Sequence, residues 1–300
     1  MKIIYDRHNE NYKKCLDGGP KNKIATSWLN KSTLDFWRHE RMLNPLKAII
    51  NKNDTWLTIG DGRYGSEANW LLSKGISAHA SDMSTDLLKK AKDLNLITEY
   101  SRQNAEELTF KNESFDYVLI KESLHHFPRP WLALYEAFRV SRKGVVIIEP
   151  NDYFSDRGNV KKKFFKRFKD FIKIILKKKI NKDEYGFEEV GNFIYTMNIR
   201  ELEKFMLGIH QTNIAYLFLN DHYFDGVEHV SMRDRTIKDF LLYLKLLLII
   251  NFKNIICKLG ISNESLLAAI LIKENINERK KQKLLQYSWH LKNLPTNPFL

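Results

Sequence analysis

Between residues 55 and 150 the chain alternates short apolar runs with stretches of helical period. Strands are expected near 55–59, 77–81, 97–101, 115–120 and 144–149, the first and the last two being the apolar runs, with Ser66 to Ser73 as a helix between the first two. Alternation of this kind builds βαβ units and an α/β sheet. Strand-like stretches return at Ile214–Leu219 and Leu266–Ile272, with a long helix between them. That helix contains an apolar run from Phe240 to Phe252, interrupted by Lys245 and Asn251. A membrane span needs about 20 apolar residues, so a buried helix is the expectation here, with membrane apposition secondary. Residues 1–44 precede the core and carry Tyr12, Trp28, Phe36 and Trp37 among polar neighbours. Residues 276–300 are polar and read as a helix followed by a loose tail.

Composition narrows this picture. Three hundred residues with 43% hydrophobic and 12% aromatic content make a folded α/β core with room for a second lobe. The two cysteines, Cys15 and Cys257, define neither a metal cluster nor a disulfide framework, and a reducing cytosol is the simplest compartment. The first ten residues lack the apolar core of a signal peptide.

The net charge of +13 suggests nucleic acid until it is located. Residues 161–182 hold eleven Lys or Arg against Asp170 alone, so most of the excess is local. At helical spacing Phe164, Phe168, Phe171, Ile172 and Ile175 share one face, and Lys162, Lys166, Lys169 and Lys173 the other. The favoured reading is a surface helix packed on the core. Peripheral contact with anionic membrane ranks second, and nucleic acid last, because the rest of the chain has no supporting basic surface.

The most informative chemistry is the turn after the first strand. Residues 56–65 read Trp-Leu-Thr-Ile-Gly-Asp-Gly-Arg-Tyr-Gly, and Asp82 follows the second strand. Gly60, Gly62 and Gly65 allow a tight turn and close approach to a ligand, and an acid at the end of the second strand can accept from ribose hydroxyls. The spacing alone fits either a dinucleotide or another nucleoside cofactor.

Downstream residues separate the two. Asn104-Ala105-Glu106-Glu107-Leu108-Thr109-Phe110 is followed by Phe115-Asp116-Tyr117-Val118, then Lys121-Glu122-Ser123-Leu124-His125-His126, Glu136-Ala137-Phe138-Arg139-Val140 and Glu149-Pro150. In this order, over about residues 54–152, the chain resembles the class I S-adenosylmethionine (SAM) methyltransferases, in the branch that includes small-molecule and quinone enzymes. No Tyr-x-x-x-Lys dyad of the short-chain dehydrogenase type follows the fourth strand.

The resemblance implies a Rossmann-like seven-stranded sheet with helices on both faces. It further implies a helical N-terminal leader (1–44), a SAM-binding α/β core (45–152), a basic helical cap insertion (153–210), the C-terminal part of the sheet (211–275) and a tail (276–300). It assigns Gly60, Asp61, Gly62 and Gly65 to the turn under the cofactor and Asp82 to the ribose. Met83 and the Asn104–Ala105 loop are assigned to adenine, and Lys121 to the side facing the sulfonium. The sequence departs from the family pattern at Thr58, where an acid is common, and in its third glycine, which comes one residue late with Tyr64 in the usual place.

Methyl transfer to a hydroxyl benefits from a base, and His125 and His126 sit at the carboxyl end of the fourth strand, where open α/β sheets bind ligands. Glu122 is a third candidate at the same mouth, and Glu149 a residue that shapes it. Asp221, His222, Glu228 and His229 have no recognised metal-ligand spacing. The resemblance points to a sugar or glycan precursor in a surface-polysaccharide pathway as acceptor. A lipid or quinone comes next, then RNA, and an inactive methyltransferase-fold subunit is the non-enzymatic alternative.

Overall fold

Among the described residues, eight strands join into one sheet: β1 (Thr55–Ile59), β2 (Ser77–Asp82), β3 (Glu99–Arg102), β4 (Phe115–Lys121), β5 (Ser141–Pro150), β6 (Asn213–Leu219), β7 (Leu266–Ile272) and β8 (His290–Asn293). The computed structural model describes residues 5–7, 10, 26–152, 186–188 and 191–299. The basic segment 161–182, with the packed surface helix expected there and the membrane contact ranked second, lies outside the described residues.

The strand order is β3-β2-β1-β4-β5-β7-β6-β8. Strands β1 to β5 pair in parallel, while β7 is antiparallel to both β5 and β6, and β8 is antiparallel to β6. The order turns back on itself between β1 and β4, so the carboxyl ends of those two strands flank a crevice at the topological switch. Helices cover both faces, which is why β4 and β7 read as near-continuous apolar runs rather than alternating ones. On one face α2 (Ser66–Ser73), α3 (Asp86–Asp93) and α7 (Glu278–Gln286) pack Leu71, Leu88 and Leu284 around Trp56. On the other, α4 (Pro130–Val140) and α5 (Ile199–Gly208) pack Leu134, Ala137, Leu202 and Met206.

Three details differ from the sequence expectation. The sheet has eight strands rather than seven, because the tail after α7 is not loose. Trp289 is fully buried, its indole N–H donates to the carbonyl of Pro45 at 3.0 Å, and the four residues after it pair with β6. Helix α5 falls in the stretch expected to form the cap, yet it packs on the sheet through a buried Leu202–Phe205–Met206 face.

The third difference concerns α6 (Ile237–Lys258), the helix between β6 and β7, which was expected to be buried. Of its 22 residues only Leu246, Ile250 and Ile256 are buried. The helix rests on the leader helix α1 (Leu34–Leu43) and on Val227 and Val230 instead of on the sheet, so only one of its faces is covered.

Candidate active site

The turn after β1 is shaped by what surrounds it. Gly60 has φ of +73°, and a Cβ there would lie 2.5 Å from the side chain of Ser123. A Cβ on Gly62 would lie 2.7 Å from the Asp82 carboxyl carbon. The absent side chains let the turn, the end of β2 and the end of β4 meet around one crevice. Gly65 stands at the start of α2 against Ile97 and does not line the crevice, so its role is packing. The Asp61 side chain also turns away. It accepts from the Thr58 hydroxyl at 2.8 Å and from the backbone N–H groups of Glu67 and Ala68, capping the first turn of α2. Thr58 thus holds the acid that the turn supplies three residues later.

A cavity of about 690 Å³, including its open mouth, follows. It is lined by Ile59, Gly60, Asp82, Met83, Asn104, Ala105 and Phe127, among others. Asp82 is buried there, and burial raises its pKa to about 6 even though the N–H groups of Ser84, Gly62 and Met83 favour its charge. Asn104 accepts from the N–H of Glu106, which fixes the loop at the far side. Glu106 in turn accepts from the Arg129 backbone and guanidinium and from the Tyr5 hydroxyl, so a residue of the leader closes this end. The Glu136–Arg139 pair explains the next motif, since Glu136 accepts from Leu108 N–H while Arg139 donates to the carbonyls of Leu108 and Phe110. A narrow apolar slot with a buried acid at one side and backbone amides at the turn fits a nucleoside carrying a ribose diol.

A second cavity, about 1180 Å³ with its mouth, opens on the other side of Gly60, Ser123 and His126, which line both. His125 belongs to this cavity. Its Nδ1 lies 2.5 Å from the Glu149 carboxylate, which also accepts from the backbone N–H groups of Ser123 and Leu124. Burial opposes charge on the imidazole, but the Glu149 carboxylate outweighs it and raises the pKa. Glu149 therefore fixes both the turn and the ring, leaving Nε2 for the cavity. His126 instead pairs with Glu188, and Asn192 and Tyr195 bond to the carbonyls of His126 and His125. The described residues 191–195 thereby cover the double-histidine turn.

Glu122 and Lys121 occupy other roles than expected. Lys121 is buried between Glu67 and Glu122 and donates to Nδ1 of His39 at 2.9 Å, on the side of the second cavity rather than the first. Burial alone would lower its pKa, yet the two carboxylates raise it, so the ammonium persists. Burial would likewise raise the pKa of Glu122, but Lys121 holds it well below the usual carboxylate range. A carboxylate so paired is a poor proton acceptor near neutral pH. Its backbone φ of +48° sets the sharp exit from β4.

Several cavity residues were not assigned to the site from sequence. Asp35, Arg38 and His39 project from α1, Arg63 from the glycine turn, and Trp28 and Tyr223 complete the wall. Arg38 joins Asp35 to Asp221, and Tyr223 donates to Glu228, so the acids of the 221–229 cluster serve the wall. His39 is kept neutral by burial and by the adjacent Lys121. The one available signal was the i, i+3, i+4 spacing of Asp35, Arg38 and His39, which puts three polar residues on one helix face.

Comparison with known proteins accords with this geometry. Residues 57–148, from β1 almost to the end of β5, match the family model of a methyltransferase domain. No curated protein matches the sequence. Among solved structures, the chain resembles one from the complex between the Haloferax volcanii Trm112 methyltransferase activator and a methyltransferase, with 13% identity, a TM-score of 0.51, and coverage of 89% of this chain and 99% of that one. It also resembles the Haemonchus contortus phosphoethanolamine N-methyltransferase 2, with 17% identity, a TM-score of 0.50, and coverage of 88% of this chain and 60% of that one. Likeness at this identity establishes a shared fold.

Proposed function

We propose, from the premise that this chain is a SAM-dependent methyltransferase, that it methylates a hydroxyl of a polar, sugar-sized acceptor. A glycan precursor of a surface-polysaccharide pathway is such an acceptor. The observation that carries this reading is the second cavity. Its wall of Trp28, Arg38, His39, Arg63, Glu122 and Tyr223 offers hydrogen-bonding groups around an aromatic face, which suits a polyol better than a quinone ring. Bound SAM supplies an electrophilic methyl group on a sulfonium. The chain's part is to hold the acceptor in line and take its proton. His125 takes the second role in this reading, which is supported by its Nδ1 contact with Glu149, a carboxylate able to stabilise the imidazolium that forms, and by its place in the cavity wall.

The cofactor assignment is tested at Asp82. In this reading its carboxylate accepts from both ribose hydroxyls, so Asp82→Asn should weaken S-adenosylhomocysteine binding by roughly 10- to 100-fold. Because its pKa lies at about 6, the parent carboxyl takes a proton as pH falls through that value and becomes a weaker acceptor. Parent affinity should drop below pH 6, and the variant should be weak and flat with pH. Calorimetry showing a flat parent profile together with an unchanged variant would remove Asp82 from the cofactor site.

The acceptor reading is tested by turnover on free and nucleotide-linked sugars against quinols. Trp28→Ala should raise KM for the true acceptor several-fold while leaving cofactor affinity within about two-fold, since the ring lines only the second cavity. Activity confined to quinols would overturn it.

A further inference from the structure

The exposed face of α6 is a continuous apolar stripe. Ile237, Leu241, Leu244, Leu248, Phe252, Ile255 and, just past the helix, Leu259 recur at spacings of four, three and four residues, and each is 37–82% exposed. That repeat follows the 3.6-residue turn closely, so the residues stay on one side along the whole helix, about 33 Å at 1.5 Å per residue. A soluble protein rarely leaves so long an apolar row open to water.

Charge says what would cover it. Lys238 and Lys245 lie along one flank of the stripe and Lys258 along the other, all exposed. The only acid of the helix, Asp239, is turned back to the N-terminus, where it forms a capping box with Thr236. Over residues 233–259 six basic side chains stand against two acids. A row of aliphatic and aromatic groups between lysines is the pattern of a helix lying in a membrane interface, with the apolar side among acyl chains and the ammonium groups at phosphates. A second copy of the chain would bring lysine flank against lysine flank, which opposes pairing.

The fold also settles how the helix would lie. Its mean hydropathy of 1.8 over 18 residues is high enough for a span, yet only 17% of that window is buried in the protein. Leu246 and Ile250 pin it to Leu34, Val227 and Val230 on the leader side, and both ends are tied to strands β6 and β7. Threading it across a bilayer would pull it off that platform. Lying flat requires no rearrangement.

We propose that α6 is a membrane-docking surface, by which the protein lies on a bilayer rich in anionic phospholipid with the stripe in the interface. This stands independently of which acceptor is methylated.

The test is co-sedimentation of the full chain with vesicles of phosphatidylcholine alone and of phosphatidylcholine mixed with phosphatidylglycerol, at low and high salt. Binding is expected on the anionic vesicles at low salt and should weaken as salt rises. The combined variant Leu244→Gln, Leu248→Gln, Phe252→Gln, Ile255→Gln should bind at least about ten-fold more weakly, since it removes the inserted groups. All four side chains are exposed, so S-adenosylhomocysteine affinity should be unchanged and serves as the folding check. Replacing Lys238, Lys245 and Lys258 with Gln should remove most of the salt-dependent part. In parallel, Phe252→Trp should shift its emission to the blue on anionic vesicles and be quenched by brominated acyl chains. Absence of parent binding at low salt would overturn the proposal. So would full binding by the folded stripe variant, which would move the contact elsewhere, including to 161–182. A lipid-free dimer that the stripe variant dissociates would overturn it too, making the face an interface between copies.

Discussion

His125→Ala is expected to lower turnover by roughly 10²- to 10⁴-fold while S-adenosylhomocysteine binds as in the parent. The ring lines the second cavity and not the first, so its removal should spare the cofactor slot. The pH profile separates a base from a spacer. Burial opposes charge on the His125 ring but Glu149 outweighs it and raises the pKa, so the imidazole keeps its proton, and is unable to accept another, to higher pH than a free ring. Parent turnover should therefore rise with pH through an ionisation above the usual imidazole value and then level off. Glu149→Gln removes the stabilising charge, so the same limb should move to lower pH while the plateau falls. A His125→Ala enzyme with parental turnover, or a limb unmoved in Glu149→Gln, would leave His125 as a positioning group and place the base elsewhere.

Trp289→Ala should cost about 3–5 kcal/mol of unfolding free energy, read from urea titrations followed by circular dichroism. The side chain is fully buried, packs with Leu284 and Trp56 in one core, and bonds to the Pro45 carbonyl. Trp289→Phe keeps most of the volume and loses the indole N–H, so its cost should lie well below that of Ala. If Ala were as stable as the parent, the C-terminal strand would be an ornament on a sheet complete without it.

That tryptophan also shows where sequence reading stops. Strands β1, β4 and β5 were legible because burial of most of their residues makes each a dense apolar run, and the glycine turn and Asp82 announce themselves by spacing. Strand β8 has no such signature. His290, Lys292 and Asn293 are polar or charged, and its edge position leaves most of the strand in water. Trp289, the residue just before the strand, anchors its start. The exposure of α6 was equally hidden, since an apolar run looks the same whether or not protein covers it. In the site, His125 and His126 were visible as a pair, but their division of labour was not. Glu149 and Glu188, which set it, lie 24 and 62 residues further along the chain and reach the rings only through the fold. The ion pairs of Lys121 were hidden for the same reason, because its partners Glu67 and His39 come from two different helices.

The Glu149 carboxylate has a consequence for protein engineering. One side chain holds two backbone amides of the β4 turn and the ring of His125, so any change there alters the loop and the proposed base together. Directed evolution toward new acceptors should find that region intolerant. Productive diversity should concentrate instead on Trp28, Arg63 and Tyr223, whose side chains shape the cavity from the leader and from loops outside the sheet's hydrogen-bond ladder. The molecule thus separates a fixed chemical unit at the strand ends from a wall that can be rewritten.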